Sequence, residues 1–495
     1  MSTGTYLWSS DSMGYADPIP SYAIYQYTAC FLSFAGINIE AIQILFQVFL
    51  FMGAGFSMYY LSKTLYPDLK ISPLIASIFY MFNFFVLQSR VNVGLAWSYT
   101  FLPLLIALIV KAINAAYQHD SKATNRNVIY FAISSTVALS LASINPTNVA
   151  LIILGITSIF FYYLLKNRKQ LKPLFMLIAK IALVTVPINL WWLVPMLNTY
   201  VFSPQMLNSQ INVVSWSWTQ DRSSFLNLFW LNGIWTWLPE YFPYIDSYSN
   251  PFMIILVFVP FLLATTALLF KSNKSRFNAY IMLLILFFMF LAKGLHEPFS
   301  QLNLLLYQKI PYVNMFREPT SKFTMLIVLL LSLLIGYAAN HLSNLKAIKS
   351  KYCITKMVIP IVLIATIIIA VFPLVTNPIE TKTQQLPFSS YIKIPDYWFQ
   401  ATDWINHQNG DYKVLITPLD DFYQMPYIWG YYGTDQLIER LFQKPVISTD
   451  YLNQYYVNPS TAANLQQLRA SIQYNNSSEF KAFLDLLNIE YILQR

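Results

Sequence analysis

The sequence predicts a mostly α-helical, polytopic membrane protein that ends in a small α/β domain. Three observations predict this. Of the 495 residues, 56% are hydrophobic and only 11% are charged, and the mean hydropathy is +0.47; soluble domains carry about 25% charged residues. Apolar stretches of about 20 residues, the length that crosses a bilayer, recur through the first 376 residues. The loops between these stretches alternate between basic and acidic.

The apolar stretches and loops form a two-sided pattern. We place about ten spans, near residues 40–62, 73–89, 95–112, 128–144, 146–165, 174–198, 251–270, 277–293, 322–342 and 354–376. One set of loops carries Lys63, Lys70, Lys111, Lys122, Arg126, Lys166, Arg168, Lys169, Lys172, Lys271, Lys274, Arg276, Lys346, Lys349 and Lys351. The other set carries Asp11, Asp17, Glu40, Asp221, Glu240, Asp246, Glu297 and Glu318. Because Lys and Arg stay on the cytoplasmic side, we predict a multi-pass plasma-membrane protein whose acidic loops and termini face outward.

The first 38 residues are interpreted as an outer loop that leads into a helix in the membrane interface. Residues 20–37 are apolar and aromatic but short, and Tyr22, Tyr25 and Tyr27 suit the depth of the lipid headgroups. The alternative is a true span at 20–37. A first outer loop normally follows a first span, so under the interfacial interpretation we expect an upstream helix that truncation or a misassigned start has removed from this sequence.

We predict that residues 1–376 form the membrane body and residues 377–495 a polar, aromatic outer domain. In the outer domain we expect a helix at 396–407, a strand at 413–417, aromatic loops at 421–433, helices at 459–473 and 478–487, and a strand at 489–493. That order is typical of a small α/β unit. Within the membrane body the outer loop 199–250 is long, and long loops usually have a function.

Composition and motifs argue against several function classes. The sequence contains no P-loop, dinucleotide-binding or metalloprotease motif, and its four histidines are scattered. We therefore predict no nucleotide cofactor and no resident metal, and leave a divalent-cation requirement open. The net charge is +9, and the basic residues lie at the predicted inner ends of the helices. This placement favours membrane lipids over nucleic acid as a partner. The spans carry few ionisable residues, with Lys180 the main exception, which argues against a proton-driven transporter.

Two clusters of charged residues on the predicted outer face carry candidate chemistry. The first, at 6–18, holds Trp8, Asp11 and Asp17. A carboxylate there can take the proton of an acceptor hydroxyl as a general base, or it can be an ordinary solvated side chain. The second cluster is Arg317 and Lys322, where a span begins. Two cations there can hold a phosphate, or they can simply anchor the helix at the interface.

A third cluster is aromatic. Its members are Trp216, Trp218, Trp235, Trp237, Trp404, Tyr427, Trp429, Tyr431 and Tyr432. Flat rings with a polar edge stack on sugar faces, although such residues are more often core or membrane-interface residues. From the outer face we select Trp8, Trp235, Trp237 and Trp429, together with Glu297, as candidates for binding a sugar or its acceptor.

Taken in order, these features resemble the GT-C membrane glycosyltransferases, and among them the α-(1→3)-arabinofuranosyltransferase type with its bacterial and archaeal relatives. The likeness rests on LW-x-x-D-x-x-G at 7–14, SINPTNVA at 143–150, NLWWLVPML at 189–197 and NMFREPTSKF at 314–323. The polar outer domain after the last helices fits as well. Two features depart from the family: the first helix is missing, and the outer domain is much shorter.

The resemblance implies a GT-C-like fold and an enzyme of the cell envelope. Such an enzyme moves a sugar from a polyprenyl- or dolichyl-phosphate donor to a hydroxyl of a cell-surface glycan, lipid or protein at the outer membrane face. It places the catalytic carboxylate at Asp11, with Asp17 as the alternate, and the donor phosphate at Arg317 and Lys322. The implied partners are membrane lipids, the lipid-linked sugar and a glycan acceptor. The alternatives are a polysaccharide flippase or polymerase and a non-catalytic membrane assembly protein.

Overall fold

The computed structural model describes residues 8–9, 15–16, 22–89, 92–200, 213–233, 247–310, 312–344, 353–376, 393–419, 424–427, 429, 431–434, 436–448 and 459–494. The chain divides into two compact units. We call the first the helical unit, formed by Ser21–Leu193 and Ile211–Pro378, and the second the mixed unit, formed by Met1–Pro20, Val194–Gln210 and Ile379–Arg495. The assignment of 1–376 as a membrane glycosyltransferase domain and of 377–495 as an outer domain stays a prediction.

Between residues 22 and 376, the described part of the chain contains fourteen α-helices. They are α1 Tyr22–Phe34, α2 Ile39–Leu65, α3 Ser72–Met81, α4 Phe84–Ser89, α5 Val93–Tyr117, α6 Ser121–Ala142, α7 Pro146–Lys166, α8 Lys172–Tyr200, α9 Phe225–Phe229, α10 Pro251–Thr266, α11 Ser275–Ala292, α12 Ser300–Lys309, α13 Pro319–Ser343 and α14 Cys353–Thr376. In the described part of the chain, 3₁₀ segments between them include Val213–Gln220 and Val313–Phe316. Asn side chains cap several N-termini: Asn38, Asn92 and Asn145 each accept a hydrogen bond from a first-turn amide of α2, α5 and α7.

Seven helical segments in the described part of the chain are long and apolar enough to cross a membrane. They are Ile39–Leu65, Ser72–Ser89, Val93–Tyr117, Pro146–Lys166, Lys172–Asn198, Ser275–Ala292 and Pro319–Ser343, and two shorter apolar helices lie at Pro251–Thr266 and Val358–Pro373. The predicted count of about ten spans is therefore not confirmed. The span predicted near 128–144 coincides with α6, which does not meet this test because Ser, Thr and Asn dilute its apolar residues.

Helix α13 lies at the centre of the helical unit. Its most apolar stretch is entirely buried, and it packs against α3, α7, α10, α11 and α14. A helix that is apolar on all sides is expected in such a position. Helices α2 and α8, in contrast, bury only 33% and 17% of their most apolar stretches, as expected of helices that face lipid.

Contacts at the two ends of α13 show which helix ends lie together at each end of the bundle. Near the start of α3, the backbone N–H of Ile71 donates to the side-chain oxygen of Asn340 in the last turns of α13, at 3.1 Å. The opposite end of α13 lies against the end of α11, where the Thr320 hydroxyl donates to the Ala292 carbonyl at 2.9 Å. We call this opposite end the site end. Helices α4 and α11 end there, and α5, α7 and α13 begin there.

The predicted span at 73–89 is broken into α3 and α4. Asn83, which is 2% exposed, holds the break: its amide donates to the carbonyls of Phe79 and Tyr80 and to the Tyr99 hydroxyl, each at 3.0 Å. Its oxygen accepts from the Val86 N–H at 3.0 Å. One side chain therefore satisfies the backbone groups that a break frees, as buried backbone requires.

Helix α1 follows the predicted first outer loop. Its 13 residues extend about 20 Å, which is shorter than the roughly 30 Å apolar core of a bilayer. It packs on α2 and α6, and the Tyr25 ring meets the Phe46 ring edge-on at 4.9 Å. Tyr27, Phe31 and Phe34 are exposed. These features favour the interfacial interpretation over a span.

The mixed unit contains a parallel sheet in the order β6-β3-β7. Its strands are β3 Lys413–Thr417, β6 Val446–Ile447 and β7 Ile489–Gln494; the short strands β1 Trp8–Ser9 with β2 Tyr15–Ala16, and β4 Gln424–Pro426 with β5 Tyr432–Thr434, form antiparallel pairs. The helices are α15 Asp396–Asn406, α16 Gln436–Glu439, α17 Pro459–Gln473 and α18 Ser477–Leu487. Leu415 joins the core on the α17–α18 side, and its neighbours Val414 and Ile416 join the core with α15, so both faces of the sheet are covered.

Candidate functional site

The candidate site is built where α11 ends and α13 begins. Three segments meet there: residues 219–224, residues 292–303 and residues 316–322. We call this meeting point the junction. All three segments belong to the helical unit.

Gln220 connects the three segments. Its side chain, 2% exposed, accepts from the Leu295 N–H at 2.7 Å and donates to the Arg317 carbonyl at 3.3 Å. The Thr219 hydroxyl donates to the same carbonyl at 3.3 Å. Gly294 has a φ of 59° and lies so close to the Gln220 amide that a larger residue would displace it. The backbone around Arg317 is thereby fixed to the end of α11.

Lys293 is buried at the end of α11. The side chain has no exposed surface, and its Nζ donates to the carbonyls of His296 at 2.7 Å and Gly294 at 3.2 Å. Burial lowers the pKa of Lys293, and the negative charge of Glu297 opposes that effect. The Ser223 hydroxyl donates to the Lys293 carbonyl at 2.8 Å. The sequence interpretation missed Lys293, although a lysine at the acidic end of a span departs from the positive-inside pattern and was a signal.

The turn that Lys293 supports presents Glu297. This carboxylate is exposed, and the Ser300 hydroxyl donates to it at 2.5 Å. The hydrogen bonds from Ser300 lower the pKa of Glu297, and the charge of Lys293 lowers it further. Asn303 ties the same turn to α11 by donating to the Phe290 carbonyl at 3.0 Å. The junction therefore holds an ionised carboxylate in a defined place.

Arg317 and Lys322 frame the start of α13. Arg317 is partly buried directly before the helix, and Lys322 is 6% exposed in its first turn. Lys322 is within electrostatic reach of Arg317 and of Glu318, which lies at the helix N-cap. Ser321 donates to the Glu318 carbonyl at 2.9 Å. Of the residues selected from the sequence, the junction therefore unites Arg317, Lys322 and Glu297.

The other selected residues are not part of the junction as described. Asp11, Asp17, Trp235 and Trp237 lie outside the described residues, and Trp8 is described only as a backbone position of β1 paired with Ala16. Trp429 belongs to the mixed unit, where its ring is partly buried and stacks on Tyr431 at 5.4 Å. The roles assigned to these residues stay predictions.

A metal site is absent from the part of the chain that the structure describes. No group of three or more His, Cys, Asp or Glu side chains lies together within that part. Asp11 and Asp17 are outside it, so the prediction of no resident metal stays untested.

Comparison with known proteins identifies the family of this chain. The model of the family described as alpha-(1->3)-arabinofuranosyltransferase, N-terminal GT-C domain, matches residues 25–495. The chain belongs to this family. The membership confirms the resemblance noted in the sequence, and together with the apolar helices it confirms a multi-pass membrane protein with a mostly helical GT-C fold.

Solved structures share the fold of this GT-C family member. The cryo-EM structure of the arabinofuranosyltransferase AftD from Mycobacteria matches 89% of this chain and 28% of the AftD chain, at 14% identity and a TM-score of 0.56. A mutant of the same enzyme matches 93% of this chain and 31% of its own, at 14% identity and a TM-score of 0.53. The chain thus spans less than a third of the length of these relatives. A search of curated protein sequences found no match.

Proposed function

We propose that this GT-C family member is a membrane glycosyltransferase that moves a sugar from a polyprenyl- or dolichyl-phosphate donor to a hydroxyl of a cell-surface glycan, lipid or protein. One observation carries the proposal: in a chain of this family, hydrogen bonds through Gln220 join the segment that carries Glu297 to the segment that carries Arg317 and Lys322. Displacement of a phosphate from a sugar carbon needs cations to stabilise the leaving group.

The distribution of basic residues supports an outer position for the junction. The loops that join α2 to α3, α5 to α6, α7 to α8 and α10 to α11 all lie at the end of the bundle opposite the site end. These loops contain or directly adjoin Lys63, Lys70, Lys122, Lys169 and Lys271. Because basic loops stay in the cytoplasm, this distribution supports a site end that faces out of the cell.

The proposed reaction is a direct displacement. A carboxylate takes the proton of the acceptor hydroxyl, whose oxygen then forms a bond to the anomeric carbon of the sugar. The bond between that carbon and the phosphate oxygen breaks, and the lipid phosphate leaves with the electron pair. We assign the base to Asp11, with Asp17 as the alternate, and the leaving phosphate to Arg317 and Lys322. Arg317 offers a planar fork of donors and Lys322 a compact charge.

The acceptor needs groups that accept hydrogen bonds from its hydroxyls. We assign this role to Glu297, because the junction keeps its exposed carboxylate ionised. Trp8, Trp235, Trp237 and Trp429 are proposed as stacking surfaces for sugar rings. The reaction as proposed uses no resident cofactor, and a transfer assay with and without a chelator tests a requirement for a divalent cation.

Transfer assays test the phosphate site. In Arg317→Ala and in Lys322→Ala we expect the affinity for a polyprenyl-phosphate sugar to fall about ten- to a hundred-fold, because a charge-assisted hydrogen bond is worth about 1.5–3 kcal/mol. The measurement is transfer from labelled donor by the full chain in lipid nanodiscs, over a range of donor concentrations. Asp11→Asn in the same assay is expected to lose transfer at unchanged donor affinity.

The matched control is Lys309→Ala, which removes an exposed lysine from α12. It is expected to leave transfer unchanged. Unchanged dependence on donor concentration in both Arg317→Ala and Lys322→Ala would remove these residues from the donor site.

A further inference from the structure

Two buried amides at the site end have no hydrogen-bond partner. Across the described residues, Gln88 and Asn148 are the two buried side-chain amides in which neither the oxygen nor the nitrogen is bonded. Gln88, near the end of α4, is 7% exposed, and Asn148, in the first turn of α7, is 1% exposed. A buried polar group without a partner costs about 1–3 kcal/mol. Two such amides at the same end of the bundle therefore indicate a ligand.

Asn148 is not needed to cap its helix. The neighbouring Asn145 does this, because its oxygen accepts from the Thr147 N–H at 3.1 Å and from the Thr147 hydroxyl at 2.7 Å. Asn148 instead lies against α5, where a Cβ on Gly94 would be 3.1 Å from the Asn148 amide nitrogen. The absence of a side chain at Gly94 leaves room for this amide.

Contacts at Gly155 show that α7 packs against α13 and α5. A Cβ there would be 3.0 Å from Leu326 of α13 and 3.1 Å from Leu102 of α5. Asn148 is seven residues before Gly155 and Lys322 is four before Leu326, and both spacings keep a residue on the same helix face. Since both helices begin at the site end, Asn148 and Lys322 lie on facing surfaces, each within about two turns of the Gly155–Leu326 contact.

The surroundings of these two residues favour an anion. Helices α5, α7 and α13 all begin at this end, with 25, 21 and 25 residues, and helix N-termini carry partial positive charge. Lys322 adds a full charge and is 6% exposed.

The two amides also need a hydrogen-bond donor for their oxygens, which an anion does not supply. A phosphate oxygen accepts hydrogen bonds, so it satisfies the N–H groups of a carboxamide but not its oxygen. A hydroxyl group donates and accepts, so it satisfies both. A ligand that fits Lys322 and both amides therefore combines a phosphate with hydroxyl groups. A lipid-linked sugar phosphate has this composition.

We propose that Asn148, which faces Lys322, and Gln88, at the same end of the bundle, bind the hydroxyl groups of the donor sugar whose phosphate Lys322 holds. This inference rests on the proposed function and assigns two specificity residues to it. It predicts that the two amides distinguish a sugar-bearing donor from the bare lipid phosphate.

A pair of probes tests the inference on the full chain in nanodiscs. The probes are farnesyl phosphate and farnesylphosphoryl-arabinofuranose, and the measurement is the dissociation constant of each. The unchanged protein is expected to bind the sugar-bearing probe more tightly. Asn148→Leu and Gln88→Leu are each expected to weaken that probe about tenfold, the equivalent of one hydrogen bond, and to leave farnesyl phosphate unchanged.

Two further variants distinguish weakened sugar binding from a defect in folding. Gly94→Ala adds a methyl group against the Asn148 amide and is expected to weaken the sugar-bearing probe alone, by several-fold. Asn189→Leu is the control, because that buried amide is satisfied by the Thr185 carbonyl and the Trp192 ring N–H, both at 2.7 Å. It is expected to keep the ratio of the two dissociation constants.

The outcomes separate this inference from the proposed function. Arg317→Ala is expected to weaken both probes. If the unchanged protein binds neither probe, the proposed donor is wrong. If it binds both equally, or if the Asn148 and Gln88 variants weaken both probes alike, the amides do not bind the sugar and the inference is overturned while the donor site stands.

Discussion

At the scale of single residues, the junction is held by polar groups that water cannot reach. Gln220, Ser223, Lys293 and Asn303 are all buried, and each donates a hydrogen bond to a backbone carbonyl. Buried polar networks stabilise one arrangement strongly when every member is satisfied. Here the network fixes the backbone on either side of Glu297 and Arg317, so these side chains start from defined positions.

Gln220 gives a direct test of this network. In Gln220→Leu, the Leu295 N–H loses its acceptor, and we expect the free energy of unfolding to fall by about 1–3 kcal/mol. Because the Arg317 carbonyl also loses a donor, we expect donor affinity to fall several-fold. Thermal unfolding and donor titration of the purified variant measure both effects.

Gln308→Leu serves as the comparison, since Gln308 is exposed on α12 and lies outside the junction. Its stability and donor affinity are expected to match those of the unchanged chain. A Gln220→Leu protein with normal stability and normal donor affinity would show that the junction does not depend on this contact.

At the scale of elements, apolar runs and their flanking polar residues predicted most helices well. The predicted helices and strands of the C-terminal region agree with α15, β3, α17, α18 and β7 to within one residue at each end. The prediction of loops at 421–433 was wrong, since β4 and most of β5 lie there. The break between α3 and α4 was not predicted, because Phe82 and Asn83 carry no Gly or Pro signal. The break depends on contacts from Tyr99, which is distant in sequence.

Asn83 is expected to control this break. Asn83→Ala removes four hydrogen bonds, and hydrogen bonds inside membrane bundles average about 0.6 kcal/mol. We therefore expect the free energy of unfolding to fall by about 2 kcal/mol, measured by thermal unfolding in detergent. Asn114→Ala, at an exposed position of α5, is expected to have no effect. Equal unfolding midpoints for the two variants would contradict this role.

The candidate site was only partly predictable for the same reason. Arg317 and Lys322 were found because two cations at the start of an apolar run stand out in the sequence. Gln220 and Lys293 were missed, and Asn148 was noted only as part of the motif at 143–150, since burial and contacts between helices far apart in the chain single these residues out. A sequence pattern records where a polar residue is, but not whether a partner satisfies it.

At the scale of the whole molecule, the surface of the helical unit is suited to lipid. Phe56 and Leu183 are exposed to 68% and 76%, and a water-soluble protein would rarely display so many large apolar side chains together. The central helix α13, in contrast, is shielded from lipid by its neighbours. Polar groups such as Lys322 and Asn148 therefore lie inside the bundle, where charged and polar residues of membrane proteins are usually found.

The orientation in the membrane is the last prediction, and it follows from the basic loops. We expect the site end and α15 to face outward and the loop between α7 and α8 to face the cytoplasm. After Cys30 and Cys353 are replaced by Ala, single cysteines at exposed positions test this: Gln301→Cys at the site end, Gln400→Cys on α15 and Lys169→Cys at the opposite end. An impermeant maleimide is expected to label the first two in intact cells and Lys169→Cys only after permeabilisation. Labelling of Lys169→Cys in intact cells, with Gln301→Cys protected, would reverse the orientation. The junction would then face cytoplasmic donors, and the proposed transfer at the outer face would be excluded.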